Sequence, residues 1–330
     1  MSSAPVQNKS SASQRISIGS CAVTILFSLV FTVFLPTSLF AQDTSATMNS
    51  ARGRVALVTG LNVAGYGSSI LIFNNQWYKN YPRTSFHTFN DSKEWLQMDK
   101  LGHAWASYNS GRASAAMWRW TGLSEKKATW IGGLSSTVYL TVIELLDAHS
   151  SKWGWSWADI GANLLGSGMF IGQQVGWQEQ RIQLKFSFHH KNYSDPMLKE
   201  RADELFGASW TERMLKDYNG QTYWLSSNLH SFFKQSNLPA WLNIAIGYGA
   251  DGMFGGFENK WIDGDPGFPI DRTDIHRYRQ WYLAPDIDFS KIKTDKKAVR
   301  ILLDFLNCFK FPSPALELSK GNLKPRLIGF

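Results

Sequence analysis

Residues 157–166 read Trp157-Ala158-Asp159-Ile160-Gly161-Ala162-Asn163-Leu164-Leu165-Gly166. Asp159 and Asn163 are four positions apart and Gly166 follows three later, so a helix would carry all three on one face. The surrounding residues are apolar, and polar groups in such surroundings are costly unless they are hydrogen-bonded, ion-paired or metal-bound. The stretch therefore predicts an apolar helix whose polar patch faces other polar groups of the chain.

Weakly charged, glycine-rich segments of this kind occur four times and predict four packed helices. They cover residues 55–78, 100–120, 128–143 and 160–177. Only the first and the last approach the roughly 20 apolar residues of a membrane span. Gly168, Gly172 and Gly176 recur every four residues, which predicts a bare helix face that a neighbouring backbone approaches closely.

The downstream part of the chain shows a different periodicity. Residues 181–188 and 242–248 alternate apolar and polar side chains, which predicts strands, and residues 280–289 give a third. The first of these strands is predicted to be half-buried, with Ile182, Leu184, Phe186 and Phe188 on its apolar side and Arg181, Gln183, Lys185 and Ser187 on the other. Asp195-Pro196 predicts a helix start, and residues 298–309 return to helical spacing.

These patterns predict a mainly α protein with a smaller α+β part. A glycine-rich helical bundle is followed by a small antiparallel sheet with flanking helices. We expect a helical module with a polar core over residues 42–180 and a mixed helix and strand module over residues 181–330.

The first 41 residues have the features of a signal peptide. Lys9 and Arg15 precede an uncharged run, and its apolar centre, residues 22–35, is too short to span a bilayer comfortably. We therefore expect an exported protein in the periplasm or associated with the outer membrane. An uncleaved anchor, which would make the chain an integral inner-membrane protein, is the alternative.

Composition excludes several classes of protein. The 330 residues include 21 Phe, 11 Tyr and 15 Trp but only 18% charged residues, which excludes a disordered chain. Two cysteines are too few for a disulfide scaffold. The formal charge of +8 in an exported protein favours anionic lipid headgroups or glycans as partners. Nucleic acid is excluded as a partner, because no basic stripe is interleaved with aromatic residues.

Three of the predicted helices carry acidic, imidazole or amide groups at helical spacing. The pairs are Asp99 with His103, Glu144 with Asp147, and Asp159 with Asn163. Because charges in apolar helices are costly when isolated, we expect these groups to meet in one polar core. Lys100 and Arg112 are the candidates for its counter-charges.

Three interpretations of this core remain open. A divalent metal would bind His103 with Asp99, Glu144, Asp147 or Asp159 as oxygen ligands, a set compatible with zinc, manganese or iron. In an acid–base site, Asp99 would orient His103 while Glu144 moves a proton to or from a substrate. The third interpretation is a buried ionic network that fixes the helix register.

The same residues resemble a known family. The runs 98–103, 144–147 and 157–166 are similar to the YfiM-like family of predicted periplasmic lipoproteins, a domain of unknown function, and more distantly to VanZ-like membrane proteins. The resemblance covers about residues 50–180, and residues 218–226, 241–243 and 247–249 resemble longer members of the family. It implies a location in the cell envelope and a shared polar core, and it implies no reaction. This chain lacks the family's lipid-attachment motif.

We therefore expect a cell-envelope protein associated with a membrane, with a structural or interaction role and with lipid or glycan as the candidate ligand. The alternative is a metal-assisted or acid–base hydrolase that acts on an envelope lipid or glycan through His103 and the neighbouring carboxylates. The sequence does not indicate a protein partner.

Overall fold

Four long helices form the upstream part of the chain, as the weakly charged segments predict. The computed structural model describes residues 51–74, 81–264 and 267–329, so the predicted signal peptide lies outside the described residues. The helices are α1 (Ala51–Phe73), α2 (Met98–Trp120), α3 (Glu125–Asp147) and α4 (Trp157–Gly176). Helix α2 packs on both α3 and α4, and these two also pack on each other. The three helices that carry the predicted polar groups are thus mutual neighbours.

Glycines bring these helices close together, although not at the predicted positions. A side chain at Gly166 would overlap the carbonyl oxygen of Ala104 on α2, and Gly132 lies equally close to the backbone of Ala115. In contrast, Gly168, Gly172 and Gly176 are exposed, and a methyl group added at any of them would meet no atom of the described residues within 4 Å. The prediction of a packed face at these three glycines was therefore wrong, because their side of α4 points away from α2 and α3.

Among the described residues, one helix is long and apolar enough to cross a membrane. It is α3, with a mean hydropathy of 1.2 over its 18-residue window and 39% of that window buried. The sequence pattern instead indicates residues 55–78 and 160–177 as the segments that approach the length of a membrane span.

The downstream part forms a six-stranded antiparallel sheet with the order β1-β2-β3-β6-β7-β8. The strands are β1 (Ile182–Phe188), β2 (Gln221–Asn228), β3 (Leu242–Asp251), β6 (Tyr278–Ile287), β7 (Ser313–Ser319) and β8 (Asn322–Gly329). A separate hairpin joins β4 (Lys260–Asp263) to β5 (Phe268–Asp271). The three strands predicted from alternation correspond to β1, β3 and β6.

Four short helices flank the sheet. They are α5 (Pro196–Phe206), α6 (Trp210–Lys216), α7 (Leu229–Phe232) and α8 (Lys297–Leu306). Helix α5 begins where predicted, because the Asp195 carboxylate accepts hydrogen bonds from the backbone N–H groups of Met197 and Leu198. The predicted fold class, a helical bundle followed by an antiparallel sheet with flanking helices, is confirmed.

The sheet curls, and its first strand gains a partner from the segment that leads into β7. The N–H of Phe186 donates to the carbonyl oxygen of Cys308, and the N–H of Lys310 donates to that of Phe186. Phe186 also packs against Trp105 of α2, with 5.5 Å between the ring centroids. Aromatic and methionine side chains at this contact form a shared core between the helices and the sheet.

The burial of β1 differs from the sequence prediction. Gln183, Lys185 and Ser187 are 1%, 0% and 5% exposed, so the polar side of the strand is buried. Alternation identifies two faces of a strand but not which face is buried, and the curled sheet encloses the polar one. The prediction of a half-buried strand was therefore wrong, because its polar side is buried as well.

Candidate metal centre

The N-terminal turn of α2 presents Asp99, Lys100 and His103 to the start of α4. Lys100 Nζ lies 2.6 Å from Asp91 Oδ2, 3.0 Å from Asp99 Oδ2 and 2.8 Å from Asp159 Oδ1. The Lys100 side chain is 11% exposed. One buried ammonium group therefore contacts three carboxylates.

His103 lies at the centre of the cluster, where three carboxylates approach one nitrogen atom. Its Nε2 is 3.9 Å from Asp99 Oδ1, 3.8 Å from Glu144 Oε1 and 3.8 Å from Asp159 Oδ1. On the other side of the ring, Nδ1 lies 3.1 Å from Asn163 Oδ1. Since a carbonyl oxygen only accepts, Nδ1 carries the proton, and Nε2 faces the carboxylates.

The innermost carboxylate is incompletely satisfied. Glu144 is 1% exposed, its Oε2 accepts a hydrogen bond from the N–H of Ser156 at 3.4 Å, and its Oε1 has no hydrogen-bond partner among the described residues. The buried Nδ2 of Asn163 likewise has none there. A buried polar atom without a partner costs about 1–3 kcal/mol, so the cluster is suited to receiving a further group.

Burial and mutual repulsion shift the titration of these groups. Burial raises the pKa of Glu144 to about 8, although the charge of His103 opposes the shift. Burial also raises the pKa of Asp159 to about 7, again against His103. For His103 burial alone would lower the pKa, but the charges of Asp159, Asp99 and Glu144 raise it to about 9. The centre therefore holds protons tightly.

Negative charge exceeds positive charge in the centre. When all groups are ionised, the four carboxylates face one lysine and one histidine, an excess of two negative charges. The carboxylates are those of Asp91, Asp99, Glu144 and Asp159. Bound protons or a divalent cation would neutralise this excess.

Further groups hold the carboxylates in place. Tyr218 donates to Asp99 Oδ1 at 2.9 Å, and the Ser156 hydroxyl donates to Asp91 Oδ1 at 2.5 Å. Ser156 also caps α4, because its side chain accepts a hydrogen bond from the N–H of Asp159. Tyr218 and Ser156 thus hold Asp99 and Asp91, two of the carboxylates that contact Lys100.

The backbone directly before α2 is strained. Trp95, Leu96 and Gln97 have φ values of 49°, 52° and 68°, a left-handed region that residues other than glycine rarely adopt. The sheet part holds this turn, since Tyr248 donates to the carbonyl oxygen of Leu96 at 2.6 Å and Arg279 donates to Gln97 Oε1 at 2.8 Å. Such strain persists only where the surroundings impose it, and it concentrates at functional sites.

The structure brings together most of the residues predicted from the sequence. Those that meet in the centre are Asp99, Lys100, His103, Glu144, Asp159 and Asn163. Asp147 acts at longer range, because its charge raises the pKa of Glu144. Arg112 was wrongly predicted as a counter-charge, since its guanidinium lies 5.5 Å from the Tyr108 ring and donates to Asn109.

Sequence reasoning missed Asp91 and Tyr218. Asp91 lies in a loop, where no helical spacing relates it to Lys100, and Tyr218 is 119 residues from Asp99. The local motif Asp217-Tyr218-Asn219 forms a capped turn but gives no signal of its distant partner.

Comparison with known proteins agrees with the predicted family. A family model described as "Predicted periplasmic lipoprotein (DUF2279)" matches residues 88–171. This segment contains α2, α3, most of α4 and every carboxylate of the centre. The predicted family is confirmed for this segment, and so is the predicted export to the periplasm or to the outer-membrane region. The similarity to VanZ-like proteins stays a prediction. No curated protein and no solved structure matches the chain.

Proposed function

We propose that this envelope protein binds a divalent transition-metal ion in its polar centre, with Asp99, His103, Glu144 and Asp159 as ligands. The observation that carries the proposal is the approach of three carboxylate oxygens to His103 Nε2 at 3.8–3.9 Å, one of them Glu144 Oε1, which accepts no hydrogen bond from the described residues. A metal about 2.1 Å from each ligand holds neighbouring ligand atoms roughly 3–4 Å apart. Asp99, His103 and Asp159 offer ligand atoms within 4.8 Å of one another, and Glu144 would move toward them to complete the coordination shell.

The chemistry of the ligand set supports zinc, manganese or iron. One imidazole nitrogen with carboxylate oxygens suits borderline metals, whereas calcium prefers oxygen ligands alone. Asn163 supports this assignment, because its Oδ1 fixes the His103 ring with Nε2 toward the carboxylates. Lys100 would offset part of the carboxylate charge beside the ion.

The role that this site supports best is structural. The four ligands belong to α2, α3 and α4, so one ion would join the three helices of the matched segment. The predicted interaction with lipid or glycan at the envelope would then use the outer surfaces of the protein.

A hydrolase is the second candidate, and one observation favours it. The side chains of His103 and Asp99 are 18% and 25% exposed, whereas that of Glu144 is 1% exposed, so the centre is open on one side. A metal-bound water at this open side would be a nucleophile for an ester or glycosidic bond of an envelope lipid or glycan. In this second candidate Asp99, His103 and Asp159 alone would hold the metal, and Glu144, outside the ligand set, would accept the proton of that water.

Metal analysis of the full chain tests the first proposal. We expect stoichiometric metal after loading with zinc, manganese or iron(II), and its loss in His103→Ala and Glu144→Gln. His149→Ala and Glu200→Gln are matched controls, because both residues are exposed and lie outside the centre. Absence of metal from the wild-type chain, or full retention in both centre variants, would refute the proposal.

The hydrolase candidate needs a separate assay. The loaded protein should release fatty acid from phospholipid or reducing ends from peptidoglycan, and His103→Ala should abolish the release. Stoichiometric metal without turnover of either substrate would refute the hydrolase candidate and support the structural role.

A further inference from the structure

A buried polar network lies on the inner face of the six-stranded sheet. Lys185 Nζ lies 2.8 Å from Asp286 Oδ2, and Ser226 donates to the same oxygen at 2.6 Å. Asn243 donates to Ser226 in turn, and Gln183 donates to Asp288 Oδ2 at 2.9 Å. The side chains of this network are almost completely buried, so the curled sheet encloses hydrogen-bonded polar groups beside a small cluster of aromatic and alanine side chains.

The outer face of the same sheet is apolar and exposed. Register pairs place Leu225 of β2 beside Ile246, Ile246 beside Leu283, and Leu283 beside Leu316, which makes one continuous row across four strands. These four side chains are 42%, 52%, 44% and 44% exposed. A second row runs beside the first and contains Trp281, Leu318 and Leu323, which are 48%, 45% and 65% exposed.

This polarity is inverted with respect to a sheet that faces water. In water-facing antiparallel sheets the apolar side chains point inward and the polar ones outward. Strands that contact lipid have apolar side chains outward and polar side chains inward. Two adjacent rows of exposed leucine, isoleucine and tryptophan also exceed the scattered apolar residues of an ordinary protein surface.

Basic side chains border one end of the apolar rows. Arg279 lies two positions before Trp281 on the same face of β6, and Lys320 lies in the β7–β8 turn at the same end of the rows; both are exposed. Glu317, the one acidic residue in the sequence of β7 and β8, points to the inner face and is paired with Arg326. The border therefore carries the charge that complements anionic phosphate headgroups.

We infer that the outer face of this sheet, formed by the rows on β2, β3, β6, β7 and β8, docks onto the acyl layer of a bilayer that contains anionic phospholipid. The basic border contacts the headgroups, and the two apolar rows contact the acyl chains. This inference uses residues outside the polar centre, so it stands or fails independently of metal binding.

A fluorescent label on the outer face tests the inference in the full chain. Leu283→Cys, made with Cys21→Ser, carries an environment-sensitive NBD group; Cys308 is buried. Leu302→Cys on α8, where the native side chain is 49% exposed, is the matched control. Vesicles of phosphatidylcholine are used with and without phosphatidylglycerol. Circular dichroism verifies that both variants are folded.

We expect vesicles with phosphatidylglycerol to shift the emission of the label at position 283 to the blue, and nitroxide-labelled acyl chains to quench it. The label at position 302 should change little. The two basic groups should tighten binding to the anionic vesicles about tenfold or more. The inference is overturned if the label at position 283 stays in an aqueous environment while the chain is bound. Equal affinity for neutral vesicles, or a shift without vesicles that grows with protein concentration, also overturns it; the latter would identify a second copy of the chain as the occupant.

Discussion

The Nε2 atom of His103 lies 3.8 Å from Oε1 of Glu144, a buried oxygen that receives no hydrogen bond from any described residue. A network built only to fix helix register would satisfy its most buried oxygen, because an unmade hydrogen bond there is costly. Glu144 is instead a source of instability in the metal-free protein.

Replacing Glu144 by glutamine should therefore stabilise the metal-free protein at neutral and alkaline pH. Burial raises the pKa of Glu144 to about 8, so the folded state favours the protonated carboxyl. The stability that this provides is fully present below the ordinary pKa of 4.5 and is lost as the pH rises through about 8. Glutamine does not ionise, so the variant keeps its stability over this pH range. We expect a gain of about 1–3 kcal/mol in unfolding free energy at pH 8 and little change near pH 4. Urea unfolding with a chelator measures both.

A decrease in stability of Glu144→Gln at pH 8 would favour the register-fixing network. Glu200→Gln, at an exposed position of α5, is the control and should leave the unfolding free energy unchanged at both pH values.

Removal of the Lys100 charge should lower the unfolding free energy more than removal of the charge of an exposed lysine. It contacts three carboxylates and is 11% exposed, so Lys100→Met leaves those carboxylates buried without a counter-charge. Removing one partner of a buried ion pair typically costs about 3–5 kcal/mol. Thermal and urea unfolding should show a loss of this size.

The matched control for Lys100→Met is Lys199→Met. Lys199 pairs with Asp203 at 2.9 Å, but its side chain is 65% exposed, and such pairs contribute about 0–1 kcal/mol. Equal effects of the two substitutions would contradict the counter-charge role of Lys100.

Two glycines of α4, two positions apart, should respond to alanine in opposite directions. A methyl group at Gly166 overlaps the carbonyl oxygen of Ala104, so Gly166→Ala should push α2 and α4 apart and cost about 1–3 kcal/mol. Gly168 faces open space, and Gly168→Ala should gain about 0.5–1 kcal/mol from helix propensity. Melting temperatures of the two variants would therefore fall on either side of the wild-type value. A stabilising Gly166→Ala would contradict the close packing of α2 on α4.

Much of the centre could be predicted because helical spacing relates its members in pairs. Asp99 with His103 and Asp159 with Asn163 share faces at a separation of four residues, and apolar surroundings bring such pairs together. Asp91 and Tyr218 reach the centre from a loop and from the sheet part, where no periodicity links them to α2.

Strands of the sheet could be predicted from the sequence, but which face of the sheet is buried could not. Alternation identified β1, β3 and β6, yet it does not say whether Lys185 or Leu184 faces the interior. That choice depends on how the sheet curls and on what surrounds it. The spacing of Gly168, Gly172 and Gly176 failed for a similar reason, since a bare helix face packs only where a neighbouring helix is present.

His189 should give the protein a stability that declines on acidification. Burial, reinforced by the charge of Lys191, lowers the pKa of His189 to about 4. The folded state therefore prefers the neutral ring, so its full stability is present above the ordinary value of about 6.5 and is lost as pH falls toward 4. One pKa unit corresponds to about 1.4 kcal/mol, so the total loss should not exceed about 3.5 kcal/mol.

Urea unfolding at intervals between pH 4 and pH 7 measures this loss. His189→Gln should flatten the profile over this range, whereas the neighbouring His190→Gln should leave it unchanged, because His190 is exposed. The charge of Lys191 disfavours the protonated ring, so Lys191→Met should raise the folded-state pKa of His189 toward 6.5 and make the total loss smaller. A profile of His189→Gln as steep as that of the wild type would assign the acid sensitivity to another group.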